Sequence, residues 1–456
     1  MNKTKRRLIS LAAAGNLLLV PGAIAEQPGL SKELFGSPPY KCTAHRFVST
    51  SGSDANDGLT AGSPWLTLSR ADAAMLAPGT CVNIAPGLYQ TGTVVLRHGG
   101  VSASPAGYVV YRSTTLGGAR IQARQGTPFD SLVAIHTSYL MFDGVEVDGN
   151  ANTAFGACFE SSTPSGSPGH HLWFLNLTVH GCGLSGIQLN NREYYYVLHN
   201  AVYGNSSSNG SGLFGSGISV YNPEQIASYV PTAMDNSWSP YRVVIAYNIS
   251  RDNFNHQSGS SNTDGNGIIL DDWRHTQNSP RVSYQGEGLV MGNLTYRNGS
   301  KGIHSFFSEN VTIANNTSYN NNWDTHQTAT WRAEISVQGG ANVKVLNNIA
   351  WAIPGPGILR TNVPFLGQQA IGRNVWANNI AFGATNNMGR PDLFPTSVNR
   401  IDNPQFTNAS KGDFALQPGS PAIGFGRPGM YFPPSPIDAG AYQYSKRGAL
   451  PASSHD

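Results

Sequence analysis

A short pattern of apolar and small polar residues recurs along this chain, and each copy carries an asparagine. The steps between successive marker asparagines are 24, 48, 45, 23, 32 and 31 residues, which indicates a unit of about 22 to 24 residues with insertions. One such unit cannot bury its apolar face alone, so the pattern predicts a solenoid of stacked coils. The markers are Asn176, Asn200, Asn248, Asn293, Asn316, Asn348 and Asn379.

A second pattern, Gly-Ile-x-Leu or a close variant, occurs about once per unit. In the copy at 186–189, alternation places Ile187 and Leu189 inward and Gln188 outward, which is the period of a strand. We therefore predict an all-β fold with two short strands per coil, a single-stranded right-handed parallel β-helix. Strands of successive coils lie about 4.8 Å apart, so buried asparagines are expected to stack and to bond along the axis. The other copies begin at Gly217, Gly267, Gly302 and, less regularly, Glu334.

The composition suits an elongated β-body with many turns, because the chain has 52 glycines and only 12% charged residues. A solenoid grows without splitting, so we predict one main domain with a cap at each end, of which the C-terminal cap is irregular. The predicted segments are 1–25 as signal peptide, 26–100 as N-terminal cap and first coil, 101–388 as β-helix with loop insertions, 389–445 as C-terminal cap, and 446–456 as a disordered tail.

The first residues have the pattern of a secretory signal. Four cations precede an apolar run over 8–20, and Ala23-Ile24-Ala25 offers a cleavage site near Ala25. The run is too short for a membrane span, so we expect a secreted or periplasmic protein, most simply a monomer. Without the four cations the formal charge of +3 becomes −1, which argues against a nucleic-acid partner.

Four cysteines in an exported chain are compatible with disulfides. Cys158 and Cys182 are 24 residues apart, one unit of the solenoid, so one can lie above the other on adjacent coils. Cys42 and Cys81 are then expected to close the N-terminal cap. The alternative is that all four are buried free thiols.

Both ends resemble those of known β-helix proteins. The stretches 47–58, 63–68 and 77–89 resemble the N-terminal module of secreted bacterial β-helix proteins, including pectate-lyase-like ones. That resemblance implies a short helix, here about 69–76, which plugs the open end of the core. The stretches 403–423 and 437–442 are similar to the closing segment of the same group.

The insertions between strand patterns fall on consecutive coils. Long loops on one stretch of a rigid solenoid build a groove, and a groove on an exported β-helix favours an extended ligand such as a polysaccharide. The insertions lie near 222–240, 251–265, 272–287, 321–332 and 352–374.

Three carboxylates surround one strand in this charge-poor chain. Asp264 precedes the strand, Asp271 ends it facing outward, and Asp272 begins the next turn. Such clustered carboxylates indicate either a hard-cation site or an acid/base pair that shares a proton. The simpler alternative is that they are solvated turn residues.

Aligning the repeated strands predicts which residues join this cluster. Matching Ile268 with Ile303 places Lys301 beside Asn266, with His304 and Phe306 next in line. The same alignment places Asn190 and Tyr221 in the row of Asp271, as a floor for a sugar ring, and places Arg332 and Glu334 just before the strand of the following coil. His275, Phe306 and Glu334 complete the expected substrate contacts.

These acidic residues resemble the site of the β-helical polysaccharide lyases, particularly the pectate lyases of family nine. Thr263-Asp264-Gly265 and Asp271-Asp272 match that family's Asp-Gly turn and Asp pair, although in the family the pair lies one coil later. The resemblance implies Ca²⁺ held by Asp264, Asp271 and Asp272, and an acidic polysaccharide as the substrate. Lys301 is then the base for β-elimination on a uronate, with its pKa lowered by Arg274 or Arg332, and His304 nearby.

Other activities remain open at the level of sequence. Asn262-Thr263-Asp264-Gly265 with Asp271-Asp272 is also similar to the acidic motifs of the polygalacturonases, but the Gly-His-Gly and Arg-x-Lys motifs of that family are absent. C5-epimerisation shares its first step with elimination. A non-catalytic carbohydrate-binding β-helix is the alternative from another class.

Overall fold

The computed structural model describes residues 38–125, 130–151, 156–161, 168–207, 215–255, 262–277, 282–324, 332–353, 362–384, 394–429 and 437–444. The predicted signal peptide and the predicted C-terminal tail lie outside these residues. Within them the chain forms a right-handed parallel β-helix, as predicted, with three long parallel sheets along its axis. We call them sheets 1, 2 and 3 in the order in which each coil visits them.

The strands of sheet 1 are Ala44–Val48, Thr80–Ile84, Val109–Ser113, Leu140–Asp143, Leu172–Leu175, Tyr195–Leu198, Tyr241–Ala246, Glu287–Met291, Val311–Ala314, Lys344–Leu346 and Val375–Ala377. Those of sheet 2 are Gly87–Thr91, Ala119–Ala123, Glu146–Asp148, Thr178–His180, Ala201–Tyr203, Ile249–Arg251, Leu294–Tyr296, Thr317–Tyr319, Ile349–Ala352, Ile380–Gly383 and Arg400–Ile401. Those of sheet 3 are Val94–Leu96, Ser131–Ile135, Ala157–Glu160, Ile187–Asn190, Ser216–Tyr221, Asn266–Asp271, Ile303–Phe306, Ala333–Gln338 and Val363–Gln368.

Each coil thus has three strands, not the two that the sequence predicts. The asparagine pattern spans two of them, because the chain turns sharply at its centre. In the coil of Leu172–Leu175 the turn residue is Asn176, with φ 54°, and the chain then enters Thr178–His180. The same left-handed position is taken by His199 and Tyr247 in later coils. A three-residue strand such as Thr178–His180 is too short to show a period of its own.

Six of the seven marker asparagines stack in a buried ladder at this turn. In each step the backbone N–H and Nδ2 of one asparagine donate to Oδ1 of the next, at 2.9 to 3.0 Å. Asn399 ends the ladder. The seventh marker, Asn176, is exposed and lies one residue before the ladder position of its own coil. The ladder residues are Asn200, Asn248, Asn293, Asn316, Asn348, Asn379 and Asn399.

A second, unpredicted ladder lies five residues further on, at the turn between sheets 2 and 3. Asn205, Asn253, Asn298 and Asn321 repeat the same bonding, and Asn321 donates to the carboxylate of Glu334. This ladder explains the recurring glycine of the second pattern. A Cβ on Gly267, for example, would lie 2.8 Å from Nδ2 of Asn298.

The caps pack on different surfaces. The N-terminal helix, Leu68–Ala73, buries Leu68 and Ala71 in the continuous core, so the expected helix is confirmed. The hairpin Phe406–Asn408 and Asp413–Leu416 lies at the other end of the chain, and its apolar residues pack against Tyr319 on sheet 2. Two 3₁₀ turns, Asp235–Trp238 and Ala409–Lys411, occur among the described residues.

Both predicted disulfides are confirmed. Cys158 and Cys182 lie on adjacent coils with their Cα atoms 5.5 Å apart, and Cys42 and Cys81 have the same separation in the N-terminal cap. The 24-residue spacing predicts the first bridge, and the second joins the two cysteines that remain. In the described part of the chain, no helix has the length and apolar character needed to cross a membrane.

Candidate active site

Sheet 3 has the register that the sequence alignment predicts. Ile268 pairs with Ile303, and Asp271 pairs with Phe306 on one side and with Tyr221 on the other. Asn190 pairs with Tyr221 in turn. The predicted floor residues and the predicted acidic residue therefore lie in one outward row across three coils.

This row borders a cavity of about 300 Å³ on the outer face of sheet 3. Asp264 and Asp271 both line it, so the turn before the strand and the end of the strand meet in one groove. The described lining residues are Glu160, Leu184, Gln188, Asn190, Gly215, Ser216, Ser219, Tyr221, Asp264, Ile269 and Asp271.

Asp271 is the most strongly perturbed carboxyl group of the groove. Burial is the main cause, the negative charge of Asp264 adds to it, and together they raise the pKa of Asp271 to about 8. Nε2 of Gln277 donates to Oδ1 of Asp271 at 2.7 Å, which opposes the shift in part. Asp271 is therefore largely protonated at neutral pH.

Asp264 is fixed by the turn that leads into the strand. Nδ2 of Asn266 donates to Oδ1 of Asp264 at 2.9 Å, and Oδ1 of Asn266 accepts from the backbone N–H of Lys301 at 3.3 Å. The ammonium of Lys301 donates to the carbonyl of Thr263 at 3.0 Å. Asn266 on the same coil and Lys301 on the next coil thus both hold the Asp264 turn.

Lys301 lies behind the groove wall and does not line the cavity. Its side chain is 1% exposed. Burial and the charge of Arg332 lower the pKa of Lys301 to about 8, while the Asp264 carboxylate acts in the opposite direction. The predicted proximity to Asp264 is present, but the amine has no open path to a ligand in the groove.

Asp272 is occupied by its own turn. Its Oδ1 accepts from the backbone N–H and the hydroxyl of Thr276, at 2.7 and 3.0 Å, and its Oδ2 accepts from the N–H of Gln277 at 3.1 Å. The residue is fully buried with φ 52°. Its carboxylate shapes the loop after the strand and does not join the other two in the groove.

The expected calcium site therefore has two of its three acidic ligands in the groove. Calcium takes six to eight oxygen ligands, usually with several carboxylates among them. No group of three or more His, Cys, Asp or Glu able to hold a metal ion occurs among the described residues. In this arrangement the three aspartates do not form one set of ligands, and binding of Ca²⁺ stays a prediction.

Glu334 lies in the interior of the coil and not at the substrate groove. Its carboxylate accepts from Asn321 and from Nδ2 of Asn362, and burial raises the pKa of Glu334 to about 7. The next coil has Ile353 and not an asparagine at the ladder position, so the carboxylate of Glu334 takes the place of the next amide. The strand pattern alone could not reveal this inward direction.

The remaining predicted residues surround the groove without lining it. His304 is 2% exposed, and burial together with the charge of Lys301 holds its pKa well below the ordinary value. Arg274 donates from Nη1 to the carbonyl of Gly339 at 3.0 Å, and the ring nitrogens of His275 lie 2.8 and 2.9 Å from carbonyl oxygens. Phe306 is half-buried in the Asp271 row, and Arg332 is buried.

The sequence analysis missed Glu160 at the other end of the groove. Burial and the charge of Asp130 raise the pKa of Glu160 to about 7. Its neighbour in the row is Gln188, whose Nε2 donates to Oδ1 of Asn190 at 2.8 Å. Extending the outward row from Gln188 by one coil would have found Glu160.

Comparison with known proteins supports the fold. The structure is similar to that of pectate lyase Pel9A, with a TM-score of 0.54 and 15% identity over 89% of this chain and 98% of that chain. A complex of XylC with xylose matches with a TM-score of 0.47 and 11% identity over 74% of this chain and 69% of the other. The A-module of the Azotobacter vinelandii mannuronan C-5 epimerase AlgE4 matches with a TM-score of 0.40 and 14% identity, over 69% of this chain and 83% of the other. No protein-family model and no curated protein matches the chain.

Proposed function

We propose that this protein is a polysaccharide-cleaving enzyme whose catalytic groups are Asp264 and Asp271. The observation that supports this most strongly is that the two carboxyl groups line the same cavity on the outer face of a β-helix. The burial of Asp271 and the charge of Asp264 keep the proton on one of them at neutral pH. A protonated and an ionised carboxyl group are the pair that glycoside hydrolysis requires.

In the proposed reaction Asp271 is the general acid. It donates its proton to the glycosidic oxygen as the bond from that oxygen to the anomeric carbon breaks. Asp264, held by Asn266 and close to the ammonium of Lys301, acts as the general base that takes a proton from the water whose oxygen bonds to the anomeric carbon. Water supplies the hydroxyl group that completes the new reducing end, and its remaining proton restores the acid.

β-Elimination is the second candidate, and one observation favours it. The pKa of Lys301 is lowered to about 8, close to the range that suits a base, and this amine is near Asp264. Elimination requires the Lys301 side chain to reach the groove from its buried position. Similarity to Pel9A supports the fold on which such an enzyme would be built.

The test is to assay a panel of neutral, cationic and uronate polysaccharides for two products. Hydrolysis gives new reducing ends, while elimination also gives an unsaturated sugar that absorbs in the ultraviolet. We expect reducing ends without the unsaturated product. Asp271→Asn is expected to lower kcat/KM by about 10²- to 10⁴-fold, because the leaving oxygen loses its proton donor.

The matched control is Asp402→Asn, which changes an exposed carboxylate at the C-terminal end of the coils. It should have wild-type activity, and circular dichroism should be unchanged in both variants. If the wild type makes the unsaturated product and Lys301→Met does not, the result would favour elimination over hydrolysis. Wild-type turnover in Asp271→Asn, or no product from any glycan, would overturn the proposal.

A further inference from the structure

The groove has an unusual charge for a protein expected to bind a polyuronate. Three carboxyl groups line it, those of Glu160, Asp264 and Asp271, and no lysine or arginine does so among the described residues. The other polar contacts that it offers come from neutral groups such as Gln188 and Tyr221.

Three cations on the coils that build the groove are directed to other partners. The ammonium of Lys301 is bonded to the carbonyl of Thr263, Arg274 donates to the carbonyl of Gly339, and Arg192 pairs with Glu224 at 3.1 Å. A uronate carboxylate in the groove would meet three acidic groups, and the one ammonium near them, that of Lys301 close to Asp264, is bonded to Thr263 and does not line the cavity among the described residues. Like charges brought together in a partly buried site raise the free energy of the complex.

Ser219 shows that the groove is open to a hydrogen-bonding ligand. It lies in the outward row between Gln188 and Ile269, lines the cavity, and is 6% exposed. Its hydroxyl makes no hydrogen bond with the described residues, whereas the neighbouring Ser216 and Gln188 are both bonded. A hydroxyl that faces a polar cavity and has no partner among the described residues is suited to a sugar hydroxyl or amine.

The raised pKa values of Glu160 and Asp271 agree with this charge pattern. Both arise from burial and from a neighbouring carboxylate, with no cation to compensate. A ligand ammonium in the groove would supply that compensation, and the two groups would release protons as it binds.

We propose that the groove takes an amino-sugar glycan, whose rings carry ammonium groups, in place of the polyuronate that the family resemblance implies. This inference rests on the proposed function, since it names the substrate class of the same site. Glu160 is then a specificity-determining residue, three coils away from the Asp264 and Asp271 pair.

The test is calorimetric titration of the full chain with three tetrasaccharides of similar length. They are a glucosamine tetramer, its N-acetylated form as the neutral control, and a galacturonate tetramer with and without added calcium. We expect the glucosamine tetramer to bind at least about tenfold more tightly than the other two. Glu160→Gln should reduce that preference several-fold, while Glu287→Gln, the same change on sheet 1, should leave it unchanged.

The outcomes separate this inference from the proposed function. Equal or tighter binding of the galacturonate tetramer, with or without calcium, overturns the amino-sugar assignment, and so does equal binding of the N-acetylated form. If a uronate polymer is cleaved in an Asp271-dependent way, the proposed function stands and the substrate class is wrong. If the glucosamine tetramer binds as expected but no glycan is cleaved, the ligand class stands and the proposed function is wrong.

Discussion

At the scale of single residues, the protonation of Asp271 makes the proposed chemistry measurable. A general acid must hold its proton, and the protonated fraction of Asp271 falls as the pH rises through about 8. We therefore expect kcat/KM to fall by about tenfold per pH unit above this pH, as the alkaline limb of the profile. The pH profile of the wild type on the best substrate checks this.

Asp271→Asn provides the comparison for that profile. Its residual activity should lack the alkaline limb, because the titrating group is gone. If both proteins lose activity at the same alkaline pH, the titrating group is not Asp271 but another residue. Lys301 is the first alternative, since its pKa also lies at about 8.

Glu334 is expected to make stability depend on pH. Burial raises its pKa from 4.5 to about 7, so the folded state holds the proton more tightly than the unfolded chain. The resulting stabilisation is present below pH 4.5 and is lost as the pH rises through about 7, by up to about 3 kcal/mol. Urea unfolding across this range measures the slope.

Glu334→Gln should remove this part of the pH dependence. The free energy of unfolding of this variant should also be lower at every pH, because the new amide nitrogen must face a donor. At the Oε2 position it meets Nδ2 of Asn321, and at the Oε1 position it meets the N–H of Asn321 and Nδ2 of Asn362. Glu287→Gln, the control on sheet 1, should retain the wild-type slope. An unchanged slope in Glu334→Gln would show that the buried carboxyl group is not the cause.

At the scale of elements, the asparagine ladder carries the turn between sheets 1 and 2. Asn293→Ala removes the Oδ1 that accepts from the N–H and Nδ2 of Asn248, and it leaves the carbonyl of Ile245 without its donor. Each buried polar group without a partner costs about 1 to 3 kcal/mol. We expect a loss of at least about 3 kcal/mol in the free energy of unfolding.

Asn176→Ala is the control from the same sequence pattern. Asn176 is exposed and lies outside the ladder, so its replacement should cost only about 1 kcal/mol, from the left-handed backbone at φ 54°. Similar urea midpoints for the two variants would contradict the structural role of the ladder.

The elements that follow from periodicity were predictable, and those that depend on distant contacts were not. The Gly-Ile-x-Leu pattern fixed the register of sheet 3, and the 24-residue spacing of Cys158 and Cys182 fixed a disulfide. The direction of Glu334 depends on where the second ladder ends, and the burial of Lys301 depends on the turn of the coil before it. Asp272 was misplaced in the groove because an aspartate that bonds its own turn has the same sequence pattern as a metal ligand.

At the scale of the whole molecule, the C-terminal segment returns along the coils and covers an apolar face. The first asparagine of each Asn-Asn pair holds it: Asn315 donates to the carbonyl of Asp438 at 3.0 Å, Asn347 to Arg427 at 2.9 Å, and Asn378 to Phe425 at 2.9 Å. These three asparagines occupy the left-handed turn position just before the ladder. The doubled asparagines therefore mark the coils on which the C-terminal segment lies. The Asn-Asn pairs are visible in the sequence, but their role becomes clear only from these contacts.

Removing this segment is expected to expose the face that it covers without disturbing the groove. A chain that ends at residue 402 loses the hairpin and uncovers Tyr319 and Trp351 on sheet 2, whereas the groove lies on sheet 3. We expect more binding of a hydrophobic dye, a lower Tm and concentration-dependent association, because large exposed apolar patches promote self-association. A chain that ends at residue 444 is the control, and dye binding and light scattering of the two chains measure the effect. Equal behaviour of the two chains would mean that the returning segment contributes nothing to covering sheet 2.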